Sequence, residues 1–582
     1  MFRNIWFQLH WFFGITAGVI LIIVGVTGGM LSFQSEILRL MNPGVLTVTV
    51  PAGAEKLDPT ELLRKLQREF PDRTVNSLTL HTGANRSASV NLASADPRMR
   101  RGETRYVNPY TGELLGEVKG QSFFSATMRL HRWLLTDEFF HNRTLGKQIV
   151  GASTVLCILL SITGIYLRWP RQVSSLKVWL TFDLKRRGRG FVWDMHAVLG
   201  TWVLIPFLIM SLTGLYWSYG WYRNMLFDIS GVPRPAARVM PPPAAPEATP
   251  EGVAPAQRGG EGSERTRPEG RSGERGSGAG RESAAPSSAA IARELGVVWT
   301  SFQEASQGNF SQVQLRIPQG NGQEVSVTYQ DARPQHERAN NRMTIHPVSG
   351  EVTLHDRYAD RPLNVRLMGS MLPLHAGSYW GLPGKIIFMV ASILMPLFTI
   401  TGFMLYFERR RHKKAALAIA SEARQADADE NAEPLLIAYA SQTGYSESLA
   451  WQSAATLQKH GYNISVKELG SLSASDLGSY SRALFLVSTF GDGEPPVSAR
   501  PFVRLMAEGD LALNGFEYAL LAVGDRQYEL YCKFGHELDA WLRDHGAVSL
   551  YPMVEVDNGD PEAIARWQQQ LASFPVAGSA LV

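Results

Sequence analysis

Along the chain, hydrophobic residues gather into four long runs separated by polar or alternating stretches. The runs are 8–33, 146–169, 194–217 and 384–407. Each is apolar and, at ~20 residues or more, long enough to cross a bilayer as a helix. They share punctuation. The first carries His10, Gly14 and the pair Thr27-Gly28, and the third repeats this with His196, Gly200 and Thr213-Gly214. The second and fourth end in Thr163-Gly164 and Thr401-Gly402, and each follows a histidine motif, RLHRW (His131) or PLHAG (His375). From His10 to Gly28 and from His196 to Gly214 the offset is eighteen residues, and so is the offset from each Gly-Lys pair (Gly146, Gly384) to its later glycine. A pattern that returns at fixed spacing predicts a duplicated membrane unit, two helices per copy.

Between the runs the periodicity changes. LDPTELLRKLQREF, residues 57–70, opens with Asp58-Pro59 and has apolar residues at helical spacing. SLTLHT and SASVNLAS alternate as half-buried strands do. Asn108-Pro109 to Gly112 is a hairpin-like turn signal, and His346-Pro347 to Gly350 repeats it in TIHPVSGEVTL. A small α+β module is therefore expected twice, each copy between two spans. Residues 232–290 are Pro, Ala, Gly, Ser, Glu and Arg with almost no aromatics, too polar for a core, and are expected as a disordered insertion. From Pro434 onward apolar strands (LLIAYA, NISVKEL, ALFLVST, EYALLAVG, VSLYPMVEV) alternate with helical stretches, which predicts an α/β sheet of about five parallel strands.

The expected organisation is multidomain: a four-helix transmembrane bundle, two small α+β outer modules and a C-terminal doubly wound parallel sheet. The boundaries are 1–36 (first helix), 37–125 (first module), 126–170 (histidine motif and second helix), 171–190 (basic loop), 191–222 (third helix), 223–290 (linker), 291–365 (second module), 366–408 (histidine motif and fourth helix), 409–432 (linker) and 433–576 (α/β domain).

At 582 residues the chain exceeds one domain. Its net charge of +4 says little, because the basic residues are locally placed. Arg168, Arg171, Lys177, Lys185, Arg186, Arg187 and Arg189 follow the second run, and Arg409 to Lys414 follow the fourth. By the positive-inside rule both segments are cytoplasmic, with the N-terminus beside them and the two long connections outside. In a bacterium that is the inner membrane, with the modules in the periplasm. The first run exceeds a signal-peptide core and no A-x-A-like site follows, so it is expected as a retained anchor. The two cysteines, Cys157 and Cys532, belong to different regions and imply no disulfide framework. Nothing in the pattern calls for nucleic acid.

Three loops of the C-terminal region carry candidate chemistry. SQTGYS (441–446) joins the first strand to a helix whose N-terminus could cradle a phosphate. STFGDGEPP (488–496) follows the third strand and GDRQYELYCKFG (524–535) the fourth. All lie at carboxyl ends of strands, where doubly wound sheets bind ligands. Together they resemble the FMN-binding loops of the flavodoxin family, and in particular the flavodoxin domain of sulfite reductase flavoproteins and related diflavin reductases. The resemblance implies that Ser441, Gln442, Thr443, Gly444 and Ser446 hold the FMN phosphate and that Thr489, Gly491 and Gly493 meet the flavin ring through backbone groups. It implies that Tyr528 stacks on the ring with Phe490 flanking its other face; Tyr445, Asp492, Gly524, Asp525, Tyr531 and Cys532 complete the expected set. In diflavin reductases an FAD and NADPH domain follows. Here the chain stops at Val582 without a G-x-G-x-x-G loop, so either a separate NAD(P)H-dependent reductase loads the FMN or the chain is a shortened relative.

Ionisable residues inside a membrane are costly and point to function. His10 and His196 fall at one depth, His131 and His375 at another. Two pairs at two depths suit two bis-histidine haem b sites, and Gly14 and Gly200 would leave room for a flat macrocycle. TDEFFHNRT adds His141 beside His131; His131, whose LHRW setting matches its surroundings better, is the expected partner of His375, with His141 as the alternative. Met1 to about Lys414 resembles the PepSY-associated transmembrane family, which includes haem-containing reductases of ferric siderophores. That resemblance implies an oxidoreductase passing electrons from FMN through two haems to a periplasmic ferric chelate. Other readings stand beside it: a transporter of iron or its chelate, using Pro206 and Pro396 to break helices; a sensor; or transfer to a quinone or to a periplasmic thiol or sulfoxide system. His81, His336, His346 and His355 read as surface or turn histidines, with a ferric-substrate role as the alternative, and PRMRRGETR (97–105) reads as a solvated basic loop.

Overall fold

A computed structural model describes residues 2–94, 102–169, 174–182, 188–235, 288–317, 323–425, 432–442, 444–489, 493–508, 511–526, 530–557 and 559–575. Among the described residues four helices are long and apolar enough to cross a membrane: Ile5–Ser32, Arg143–Arg168, Phe191–Ser218 and Ser378–Glu408. Pro206 and Pro396 lie inside the third and fourth helices, which continue as Gly188–Ser218 and Gly381–Gln425. Two boundaries differ from expectation. The fourth helix runs to Gln425, through most of the expected 409–432 linker, because its Ala, Lys, Arg and Glu residues are strong helix formers. The expected 223–290 linker begins inside a helix, Gly220–Ser230, whose Trp, Tyr and Phe give it an apolar face; residues 236–287 lie outside the described set. So do residues 95–101 of the basic loop and residues 170–173 and 183–187 of the basic connection.

The chain divides into two compact units, Met1–Ile22, Leu159–Leu204 and Leu394–Val582 forming one and Ile23–Ile158 with Ile205–Ile393 the other. In the second unit lies an antiparallel sheet of β1 (Val75–His81), β2 (Ala88–Leu92), β3 (Glu103–Val107), β4 (Gln312–Arg316), β5 (Val325–Gln330), β6 (Asn341–Ile345) and β7 (Val352–Asp356). Its order is β3-β2-β1-β4-β5-β6-β7. The two expected modules are thus one sheet. β1 and β4, from the two halves of the chain, pair from Ser77↔Arg316 to His81↔Gln312, which leaves neither half with an open edge at the seam. The helices Pro59–Glu69, capped by the Asp58 carboxylate, and Ser288–Ser306 pack on it. Leu62, Leu66, Leu78, Val90, Leu295, Phe302, Val313 and Leu315 share one core. The repeated turns match bond for bond: Asn108 N–H to the Glu113 carbonyl and Gly112 N–H to Asn108, His346 N–H to Glu351 and Gly350 N–H to His346, all at 2.9 Å. Gly112 and Gly350 have φ of 79° and 73°, a region few side chains adopt.

The first unit holds the C-terminal domain. β8 (Pro434–Ala440), β9 (Asn463–Glu468), β10 (Arg482–Ser488), β11 (Glu517–Gly524), β12 (Val548–Ser549) and β13 (Val554–Asp557) form a sheet in the order β12-β11-β10-β8-β9, with β13 also on β11. Every pairing is parallel. β8 and β10 are buried along nearly their whole length because helices cover both faces, which is why they read as continuous apolar runs rather than alternating ones. The strand order reverses beside β8, the place where a doubly wound sheet opens a crevice.

Candidate functional site

The structure places four histidines as two crossed pairs. His10 and His196 have ring centres 6.2 Å apart with planes at 80°, and His131 and His375 lie 6.3 Å apart at 68°. His131 ends the helix Gln121–Trp133 and His375 lies in Met371–Ala376, each just before a span. His141 is exposed, at φ 49° in the turn beyond, and is not the residue opposite His375.

Each ring also meets a Thr-Gly pair on the neighbouring helix of its own repeat. His10 Nδ1 lies 2.7 Å from Thr163 Oγ1, and His131 Nδ1 lies 3.0 Å from Thr27 Oγ1. In the second repeat His196 Nδ1 lies 2.8 Å from Thr401 Oγ1, and His375 Nδ1 3.0 Å from Thr213 Oγ1. A glycine stands beside each threonine, and at two of them it makes room for the ring edge: a Cβ on Gly28 or Gly164 would lie 3.2 or 3.3 Å from the Cε1 of His131 or His10, whereas on Gly214 or Gly402 it would lie 3.4 or 3.7 Å from the Cε1 of His375 or His196, an ordinary contact. Gly14 and Gly200, expected beside a macrocycle, face Leu160 and Phe398 at 3.9 and 3.7 Å. Sequence reasoning saw the recurring Thr-Gly pairs as punctuation and missed them as partners of the histidines; the signal was the shared spacing to His10 and His196.

Does this arrangement fit a haem? An imidazole nitrogen binds a metal at ~2 Å and its ring centre lies ~1 Å further back, so two rings on one ion have centres ~6 Å apart. Both pairs meet that spacing. Each pair offers two imidazole donors, and among the described residues no cluster of three or more His, Cys, Asp or Glu stands beside them.

The histidines of the sheet unit lie apart from these pairs. His336, expected as a surface or turn histidine, lies in a bend but is only 5% exposed, its Nε2 2.9 Å from Tyr358 Oη and 3.0 Å from Ser370 Oγ. Those hydroxyls offset the cost of burying it, and burial pushes its pKa down. His346 Nδ1 accepts from Ser349 N–H within its turn, and His355 Nε2 lies 2.7 Å from Tyr329 Oη. His81 is held down to about 4 by burial and then by Arg86, Lys56 and Arg39.

In the C-terminal domain the three loops meet at the carboxyl ends of β8, β10 and β11. Gly444, at φ 86°, donates its N–H to Ser441 Oγ at 2.9 Å and opens the helix Tyr445–Gln458. Ser446 in its first turn is fully buried, and its hydroxyl has no partner among the described residues. A buried orphan hydroxyl at a helix N-terminus suits an anion. Gln442 Oε1 accepts from Val497 N–H at 3.4 Å. Thr489 N–H donates to the Val523 carbonyl at 2.7 Å, and its Oγ1 accepts from Phe534 N–H at 3.2 Å, fastening the second loop to the third. Gly493 has φ 93°. A Cβ on Gly524 would lie 2.8 Å from Cys532 Sγ, so only glycine fits there. Cys532 is buried, which pushes its thiol up to about 12, and Tyr531 stands beside the Arg526 guanidinium, 5.4 Å from its ring centre. Asp525 is also described; Thr443, Phe490, Gly491, Asp492 and Tyr528 lie outside the described residues.

Comparison with known proteins agrees with both halves. The family described as the PepSY-associated TM region matches residues 7–409, and flavodoxin matches residues 437–567. The chain is similar to the sulfite reductase (NADPH) flavoprotein alpha-component of Shewanella sp. strain MR-4, 30% identical over 175 residues, covering 30% of this chain and 28% of the relative. It is 28% identical over 170 residues to the same component of Bacillus subtilis strain 168, covering 29% and 28%. The chain thus spans 28% of the length of these two relatives. Among solved structures it is similar to a flavodoxin of Streptococcus pneumonia TIGR4: 32% identity, 24% of this chain and 95% of that one, TM-score 0.23.

Proposed function

We propose that this chain, which belongs to the family of the PepSY-associated TM region, is an inner-membrane flavo-haem oxidoreductase that passes electrons from a cytoplasmic donor to a periplasmic ferric siderophore. The crossed histidine pairs, with ring centres 6.2 and 6.3 Å apart, carry the reading. When bound, FMN would supply one-electron relay chemistry and each haem b a one-electron iron couple.

His10 with His196, and His131 with His375, would hold the two haems; rings fixed on helices keep such a site at one geometry. Ser441, Gln442, Gly444 and Ser446 would bind the FMN phosphate, and Thr489, Gly493, Gly524 and Tyr531 would border the flavin. Lys and Arg after the second and fourth spans favour a cytoplasmic position for the flavodoxin domain. A separate NAD(P)H-dependent reductase would load it. The ferric chelate is substrate: reduction to iron(II) weakens its hard-oxygen ligation and frees the metal. Helices that continue through Pro206 and Pro396 lack the broken segments of a midplane transport site, which argues against the transporter reading.

The test is an anaerobic absorbance titration of the detergent-solubilised chain made with ample haem and riboflavin. Two bis-histidine haems and one FMN per chain, reoxidised by a ferric chelate, are expected. A colourless protein defeats the reading. Reoxidation by a quinone or by a thiol or sulfoxide system, but not by the chelate, keeps the electron path and replaces the acceptor.

A further inference from the structure

We infer that Thr27, Thr163, Thr213 and Thr401 are positioning residues that lock their histidines in the Nδ1–H tautomer, reserving Nε2 for metal, and that among the described residues the lock has a second acceptor at His131 and His375 but not at His10 and His196. This rests on the reading of the four histidines as iron ligands.

A threonine hydroxyl has one proton to give. Each of these four lies against the carbonyl one turn back: Thr27 to Ile23 at 2.6 Å, Thr163 to Leu159 at 2.8 Å, Thr213 to Ile209 at 2.6 Å and Thr401 to Leu397 at 2.7 Å. With the proton donated there, the oxygen can only accept from the imidazole, so Nδ1 carries the hydrogen. For two of the rings a second observation gives the same answer. His131 Nδ1 lies 3.1 Å from the Val24 carbonyl and His375 Nδ1 2.9 Å from the Met210 carbonyl. A carbonyl has no proton to offer, so the reverse tautomer would set two lone pairs face to face. Among the described residues none donates a hydrogen bond to the Nε2 of any of the four rings. Metal-binding histidines are commonly held this way, and the partner of the distal nitrogen also raises the donor strength of the ligating one. His10 and His196 lie within spans, where no water competes for the bond.

The asymmetry gives the test. An isosteric Thr→Val change takes from His10 (T163V) or His196 (T401V) the only Nδ1 acceptor among the described residues, while T27V and T213V leave the Val24 or Met210 carbonyl in place. Thr→Ser keeps the hydroxyl and loses the methyl, so it separates the bond from the packing. In full-length protein with 15N-labelled histidine, purified without added haem, the ring nitrogen shifts should show Nδ1–H at all four rings. T163V and T401V should give mixed tautomers at His10 and His196, T27V and T213V should keep Nδ1–H, and each serine variant should match the wild type. In haem-loaded protein T163V and T401V should raise the midpoint potential of one centre, and T27V and T213V should shift the other by less. Nε2–H in the wild type, valine variants indistinguishable from it, or four equal shifts would overturn the inference. Failure of the wild type to take up haem defeats the ligand reading instead, and the tautomer measurement still decides this one.

Discussion

In the C-terminal domain the candidate contacts are spread over three loops and made largely by backbone, with Gly444 and Gly493 at φ 86° and 93° and Gly524 packed against Cys532. In the bundle they are concentrated in four imidazoles on helices, each with one threonine and one glycine beside it. The first kind of site shares its binding energy among many small contributions. The second has little to share it with: a group held between two imidazoles would depend on both rings. Sensitivity to single substitutions should therefore differ sharply between the two regions.

The largest effect is expected at the rings. His131→Ala or His375→Ala should remove one of two haems per chain, and His10→Ala or His196→Ala the other, read as haem-to-protein ratio. His141→Ala should change nothing; a loss there would move the ligand to that turn. A middle effect is expected at the glycines, and it differs between pairs. On Gly28 a methyl would meet Ser392 Oγ at 2.7 Å and His131 Cε1 at 3.2 Å, so Gly28→Ala should displace the ring and destabilise by ~1–3 kcal/mol. On Gly402 it meets only His196 Cε1, at 3.7 Å, so Gly402→Ala should keep both haems and gain slightly in thermal stability from helix propensity. Equal losses in the two would show that the clearance is not what matters. The smallest effect is expected in the flavin loops. Ser446→Ala removes one buried hydroxyl that has no described partner, so flavin-free stability should hold while FMN affinity falls about 5-fold, the worth of one hydrogen bond at ~1 kcal/mol. A complete loss of flavin in that variant would mean that the loop site is as concentrated as the histidine pairs.

Different parts of this molecule were legible from sequence to different degrees. Four of the five expected strands of the C-terminal sheet and the paired turns at 108–112 and 346–350 were readable because apolar runs, alternation and turn residues are local signals; the fifth, VSLYPMVEV, is instead two short strands, β12 and β13, divided around Pro552, which has no N–H to give a ladder. The joining of β1 to β4 was not: the two strands are separated by a membrane hairpin and the 232–290 insertion, and neither strand's alternation names its neighbour. Pro206 and Pro396 suggested breaks that do not occur, since neighbouring helices can satisfy the backbone groups a proline frees.

The sequence alone determined which residues could do chemistry and that they come in two copies: four spans, a histidine near one end of each and a Thr-Gly pair near the other. Tertiary structure decided who meets whom. His131 rather than His141 stands opposite His375, and each ring is caught by the Thr-Gly pair of the adjacent helix while facing the ring of the other repeat. The physical reason is that spacing along a helix fixes height and face, whereas partner choice follows from how close two backbones approach, and here glycines without side chains set that distance.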